Sequence, residues 1–203
     1  MEPNKDQALY IKNMVCPRCI QSVLKEATKA RLNVREIKLG EIVLSESYTE
    51  SQLNQFQSGI EKHGFKLITD RRARIAEAIK TEIINVIQYG KKVPGHQNFS
   101  TYLASLTGMD YSYLSSLFSS TEKITIEKYI ILQKVEKTKE HLSYDELSLG
   151  EIAVQLGYSS TQHLSSQFKK ITGLSPSQFK NLKEKNRRPI DQVGNDHPPD
   201  GVV

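Results

Sequence analysis

A chain of 203 residues, with 37% hydrophobic and 25% charged residues, has room for one or two globular domains, each with its own core. It has no apolar run near about 18 residues, which argues against a membrane span, and its opening Met-Glu-Pro-Asn-Lys-Asp-Gln lacks the charged-then-apolar layout of a signal peptide. Two cysteines without such a signal point to reduced thiols in the cytosol, and a net charge of +5 leans mildly towards a polyanionic partner.

Residues 8–14 read as a strand. Val15-Cys16-Pro17-Arg18-Cys19 then runs into a helix reaching about Leu32, with Ile20, Val23, Leu24 and Ala27 inward. Residues 34–39 alternate as a strand, Gly40 turns, and 41–45 return as its hairpin partner. Thr49-Glu-Ser-Gln52 is a capping box for a helix with Leu53, Phe56 and Ile60 inward, which stops at His63-Gly64 before a last strand over 65–68. The order β-α-β-β-α-β is the ferredoxin-like plan. With Met14-x-Cys16-x-x-Cys19 after the first strand and Gly64-Phe65 near the last, residues 8–69 resemble the heavy-metal-associated domain of copper chaperones and metal ATPases. Asn13 stands where that family usually has Gly, and Val15 where it has Thr.

The resemblance implies Cys16 and Cys19 as metal ligands. A thiol at a helix start is favoured as thiolate by the helix dipole, so the pair suits Cu(I), or a Zn(II) shared with a second chain because zinc takes four ligands. A reversible disulfide is the redox alternative, and a fold kept only for partner or dimer contacts is the plain one.

Residues 71–89 read as a helix with Ile75, Ala76, Ile79, Ile83, Val86 and Ile87 on a broad apolar face, opened by Arg71, Arg72 and Arg74. It reads as the joint between two domains, with a dimer contact as the alternative. Gly90, Pro94 and Gly95 mark a loop after it.

Beyond the loop one pattern occurs twice. Leu103-Ala104 and Gly108 match Ile152-Ala153 and Gly157 at a separation of 49. Past the turn, Leu114-Ser115-Ser116-Leu117-Phe118 and Tyr129 match Leu164-Ser165-Ser166-Gln167-Phe168 and Phe179 at a separation of 50. In each copy a glycine stands where a helix stops in the left-handed conformation, and a second helix follows. Helix, glycine turn, helix is the pattern that lays its second helix in a DNA major groove. Residues 126–142, free of Gly and Pro, read as a rod of roughly 25 Å that can hold two recognition helices about one DNA turn (~34 Å) apart.

Ile-Ala-x-x-Leu-Gly-Tyr followed by Leu-x-x-x-Phe-Lys-Lys-x-Thr-Gly-Leu-Ser-Pro-x-x-Phe resembles the AraC family of transcription regulators over about residues 98–183. The first copy departs at Glu122-Lys123, where Thr-Gly is usual. The resemblance implies that the positions flanking each buried leucine read bases: Ser112, Ser115 and Ser116 around Leu114, with Tyr111 and Tyr113 adding methyl or backbone contacts, and Thr161, Gln162, Ser165 and Ser166 around Leu164. Glutamine bonds adenine bidentately, while serine and threonine are less selective. Lys169 and Lys170 are expected on phosphate. Seven basic residues between Leu164 and Arg188 (Lys169, Lys170, Lys180, Lys183, Lys185, Arg187, Arg188) face the single acid Glu184, an electrostatic footprint for DNA.

The expected fold class is therefore α+β. A ferredoxin-like βαββαβ domain (1–70) is followed by a connecting helix and loop (71–97), an all-α domain of two helix-turn-helix units joined by a long helix (98–185) and a disordered, Pro- and Gly-rich tail (186–203). The expected function is a cytoplasmic, sequence-specific regulator of transcription that binds double-stranded DNA and is modulated by metal or redox state at the Cys-x-x-Cys loop. RNA polymerase and a second copy of the chain are further candidate partners. No nucleophile–base pair, phosphate loop or paired carboxylates stand out, so no enzymatic activity is expected. The rival readings are a metal chaperone and a nonspecific DNA-binding protein whose N-terminal domain serves only contacts.

Overall fold

The computed structural model describes residues 8–94, 98–182 and 184–194. It is a mixed α+β structure, mostly helical with a small antiparallel sheet, and it divides into two compact units between Thr81 and Glu82. No helix among the described residues is long and apolar enough to cross a membrane.

The first unit runs β1 (Ala8–Lys12), α1 (Pro17–Lys29), β2 (Val34–Lys38), β3 (Glu41–Leu44), α2 (Glu50–Glu61) and β4 (Lys66–Ile68). The sheet order is β2-β3-β1-β4, every neighbour antiparallel. Period-two alternation points Ile11 and its neighbour Ile42 into the core, where they meet Val23 and Ala27 of α1 and Phe56 and Ile60 of α2, all fully buried. The capping box at Thr49 forms: its hydroxyl accepts from the Gln52 N–H and the Gln52 side chain accepts from the Thr49 N–H. α1 ends at Lys29, short of the expected Leu32. Arg31 takes the left-handed conformation (φ 56°), and the Leu32 N–H reaches back to the Ala27 carbonyl at 3.0 Å, which turns Leu32 into the core.

α3 (Arg71–Tyr89) covers the range read as a joint, but the division falls inside it. Its first part belongs with the sheet. The Arg74 guanidinium sits 5.0 Å from the centre of the Tyr10 ring, and Glu77 Oε1 accepts from the Asn13 backbone N–H at 2.8 Å. Its last turns belong with the helical unit. Glu82 accepts from the Tyr102 hydroxyl and pairs with Lys91 at 2.6 Å, and Gln88 Nε2 donates to Gln133 Oε1 at 2.8 Å.

The second unit contains α4 (Phe99–Thr107), α5 (Tyr111–Glu122), α6 (Ile126–Tyr144), α7 (Leu149–Gln155), α8 (Thr161–Thr172) and α9 (Pro176–Lys180). The duplication read in the sequence recurs as paired rings. Phe118 of α5 lies 5.8 Å from Tyr129 of α6, and Phe168 of α8 lies 5.6 Å from Phe179 of α9. The chain after α9 corrects the expectation of a disordered tail over 186–194. Arg187 bonds Glu140 at 2.5 Å, the Arg188 N–H donates to Glu136 at 3.1 Å, and Val193 is 2% exposed. Proline and glycine there exclude a long helix without excluding packing. Residues 195–203 lie outside those described.

Gly194 closes that segment at φ +88°, and a Cβ there would stand 2.9 Å from Ile124 Cδ1 and 3.0 Å from Tyr129 Cδ2. Gly194→Ala should therefore cost about 1–2 kcal/mol of unfolding free energy, from a strained φ and a contact with a buried ring. Denaturant titration of the full chain against wild type measures this.

Candidate nucleic-acid interface

Each half of the duplication is built by caps that the sequence carries. Asn98 caps α4 by accepting from the Thr101 N–H at 2.9 Å, and Gly108 ends that helix in the left-handed conformation. Ser148 and Glu151 form a capping box on α7, and Ser160 caps α8 by accepting from the His163 N–H at 3.1 Å. The first turn passes from Gly108 through Met109 to Asp110, whereas the second passes from Gly157 through Tyr158 and Ser159 to Ser160. The added residue is the shift in repeat spacing.

The buried side of α5 is Leu114, Leu117 and Phe118, and that of α8 is Leu164 and Phe168. This turns Ser112, Tyr113 and Ser116 outward on α5, with Tyr113 52% exposed, and Gln162, Ser166, Lys169 and Lys170 outward on α8. Ser115, Thr161 and Ser165 are half-buried at the margins of these faces. Gln162 is exposed, and its Oε1 accepts from the Thr161 hydroxyl at 3.1 Å. The hydroxyls of Ser112, Ser116 and Ser166 hold no hydrogen bond among the described residues.

Several side chains near these faces are committed to the scaffold. The Tyr111 hydroxyl donates to Glu127 at 2.5 Å, tying α5 to α6; burial and that carboxylate push the phenol well above its ordinary range. The same bond holds the Glu127 carboxyl low. Tyr158 is a second bracket. Its hydroxyl donates to Gln167 at 2.7 Å, Lys134 Nζ lies 4.9 Å from its ring centre, and burial pushes its phenol up to about 12. His163 stands edge-on to the same ring and shares a 3.2 Å hydrogen bond with Ser159. The sequence offers Tyr111 for methyl or backbone contacts with DNA and Tyr158 as a core position, but not their partners Glu127 and Gln167, which lie 16 and 9 residues away.

The basic cluster is smaller than its sequence count. Lys180 pairs with Asp145 and Arg187 with Glu140, while Lys183 lies outside the described residues. Lys169 and Lys170 are exposed in the last turn of α8 without an acidic partner among the described residues.

In the first unit Cys16 is the N-cap of α1, ahead of Pro17, and Cys19 lies inside the first turn. The two Sγ atoms are 3.0 Å apart, and the Cys19 N–H donates to the Cys16 carbonyl at 2.9 Å. The expectation that the helix dipole lowers the Cys19 thiol is corrected. Burial, at 9% exposure, and then the hydrogen bond with Cys16 push this thiol up. Met14 is fully buried in the core and is not offered as a ligand. Among the described residues no group of three or more His, Cys, Asp or Glu converges on one point. The donor set is thus two thiols, which fits a soft, low-coordinate ion and does not by itself fit Zn(II). Asn13, three residues before Cys16, takes φ 72°; its side chain donates to the Gly64 carbonyl at 3.0 Å and its N–H to Glu77 of α3.

Residues 103–182 match a family model described as a helix-turn-helix domain. The chain is 30% identical over 78 residues to the Msm operon regulatory protein of Streptococcus mutans, covering 38% of this chain and 28% of that protein. It is 26% identical over 80 residues to the melibiose operon regulatory protein of Escherichia coli, covering 39% and 26% respectively. It is 22% identical over 139 residues to the probable transcriptional regulator LumQ of Photobacterium leiognathi, covering 67% and 54%. The matched part thus spans about a quarter of the first two relatives and about half of the third.

Because the Tyr111 hydroxyl is spent on Glu127, Tyr111→Phe should act on stability and not on recognition. A loss of about 1 kcal/mol in unfolding free energy is expected. DNA affinity, read by fluorescence anisotropy, should change less than about twofold.

Proposed function

We propose that this chain is an AraC-type transcription regulator that reads double-stranded DNA with two helix-turn-helix heads. The duplicated head carries the reading: two recognition helices, α5 and α8, each held by an equivalent ring pair and each turning hydroxyl or amide groups outward. The regulators that align over this part support it. In this reading α5 and α8 enter successive major-groove faces. Gln162 bonds an adenine edge, Ser112, Tyr113, Ser115, Ser116, Thr161, Ser165 and Ser166 add hydroxyl and methyl contacts, and Lys169 and Lys170 set the register on phosphate. RNA polymerase and a second copy of the chain complete the assembly at a promoter.

The N-terminal unit is, in the same proposal, a ferredoxin-like domain of heavy-metal-associated type that senses a ligand or redox state at Cys16 and Cys19. The strand order β2-β3-β1-β4 with two helices on one face supports the fold, and the close approach of the two thiols supports the site. Cys16 and Cys19, as thiolates, would hold a soft cation such as Cu(I) there. The loop has a route outward. Asn13 is bonded to Glu77, so a change at the thiols bears directly on α3, the helix that continues into the second unit.

Selection of bound sequences from random duplex DNA by the full chain, under reducing conditions with and without Cu(I), tests both parts. One enriched motif with two blocks about 10 base pairs apart is expected. Enrichment of nothing, with only salt-sensitive general binding, would overturn the two-headed reader. A copper-dependent change in motif strength that disappears in C16S/C19S, with basal binding kept, is expected of the sensor. An unchanged response in that variant would overturn the sensor alone.

A further inference from the structure

The two heads share a fold but not a charge. From Asn98 to Glu122, the stretch that forms α4, its turn and α5, there is no lysine or arginine, and the charged residues are Asp110 and Glu122. The equivalent stretch from Ser148 to Thr172 carries Lys169 and Lys170 against Glu151. The difference falls on the outer faces. Lys169 and Lys170 are exposed at the end of α8. On α5 the exposed residues are Ser112, Tyr113, Ser116 and Ser120, none of them a cation.

The helix starts differ as well. Ser160 caps α8 with a neutral hydroxyl. Asp110 occupies the N-cap of α5, is exposed, and caps no backbone N–H of that helix. Its carboxylate therefore stands free where the first N–H groups of α5 would otherwise draw a phosphate. Lys123, the nearest cation in sequence after α5, has its Nζ on the Ser120 carbonyl at 2.9 Å.

Affinity for duplex DNA rests largely on counterions released when cations neutralise phosphates, whereas hydroxyl and apolar contacts with base edges carry sequence information without that release. Resting on the DNA-binding reading above, we infer that the heads divide the work: α8 anchors the chain on phosphate through Lys169 and Lys170, and α5 is a cation-free reading head that selects bases and releases no counterions. Ser112 and Ser116 offer hydrogen bonds, and Tyr113 offers a ring to a thymine methyl. Asp110 opposes any stay on a sequence that does not reward those contacts.

The test uses the full chain, the duplex selected above and one with the α5 block scrambled, with anisotropy titrations across a salt series. K169A/K170A should flatten the slope of log K against log salt by about 1.8, at 0.9 per phosphate, and weaken both duplexes alike. S112A/S116A should leave the slope unchanged and lower the preference for the intact α5 block about fivefold or more. D110N should tighten binding to the scrambled duplex several-fold at low salt, and S116K should steepen the slope by about 0.9. An unchanged slope in K169A/K170A, a loss of about one unit in S112A/S116A, or unchanged binding in D110N overturns the division. Failure of the wild-type chain to bind any duplex would instead overturn the DNA-binding reading, and this inference with it.

Discussion

The pose of each recognition helix depends on one buried contact between aromatic rings. Phe118 and Tyr129 meet at 5.8 Å with an interplanar angle of 56°, and Phe168 and Phe179 at 5.6 Å with 76°. Tilted and edge-on arrangements at this separation are the favoured ones for rings with a negative face and a positive edge, worth about 0.5–1.5 kcal/mol beyond the area they bury. A leucine four residues before each phenylalanine extends the buried stripe along the helix, Leu114 on α5 and Leu164 on α8. With that stripe fixed inward, helical periodicity leaves no freedom over what faces out. Ser112 and Ser116 on α5, and Gln162 and Ser166 on α8, are exposed because Leu114, Phe118, Leu164 and Phe168 are not.

α3 obeys a different constraint. It buries Glu77, Lys80, Glu82 and Gln88 along with Ala76, Ile79, Ile83 and Ile84, and buried polar groups must find partners. Those partners belong to two neighbourhoods. Glu77 takes the Asn13 N–H and lies 3.6 Å from Lys80, with its other oxygen lacking a hydrogen bond among the described residues. Glu82 takes Tyr102 and Lys91, and Gln88 takes Gln133, which in turn donates to the Tyr129 hydroxyl at 3.0 Å. The ring pair of the first head is thus connected by hydrogen bonds to the last turns of α3. The polar side chains of this continuous helix are thus held within each unit separately, Glu77 in the first and Glu82 and Gln88 in the second.

Local rules were legible in the sequence and long-range polar contacts were not. The capping box at Thr49, the left-handed glycines at 108 and 157, and the Leu–Phe spacing of the recognition helices each sit within a few residues of what they govern. Lys123 shows how far such a rule reaches. It replaces the glycine of the second copy yet takes φ 62° beside Gly173 at 78°, because packing of the repeat dictates the turn and the side chain accommodates. Hidden from the sequence were Tyr111 with Glu127, Arg187 with Glu140 and Asn13 with Glu77, pairs 16, 47 and 64 residues apart that leave no period behind. Cys19 departs from the local rule for a related reason: the dipole is a property of the local helix, but burial is a property of the whole core, and burial pushes the thiol up.

Charge follows the same division between what is local and what is assembled. A net charge of +5 describes the chain, but a polyanion meets only cations that remain uncompensated at the surface. Within the helical unit Lys137 pairs with Glu140, Lys139 with Glu136, Lys180 with Asp145 and Arg187 with Glu140. The pairs within α6 are spaced three residues apart and, being only about a tenth exposed on the lysine side, are held by packing as well as by charge. Those cations serve the scaffold that orients the heads. Lys169 and Lys170 are left over by position: at the C-terminal end of α8 they complement the helix dipole, and no acid of the described residues comes within reach. The same placement that stabilises the helix end holds two positive charges beside the face that Gln162 and Ser166 present. Cationic groups and exposed amide and hydroxyl groups thereby share one face on α8, whereas α5 presents hydroxyls and a phenol without a cation.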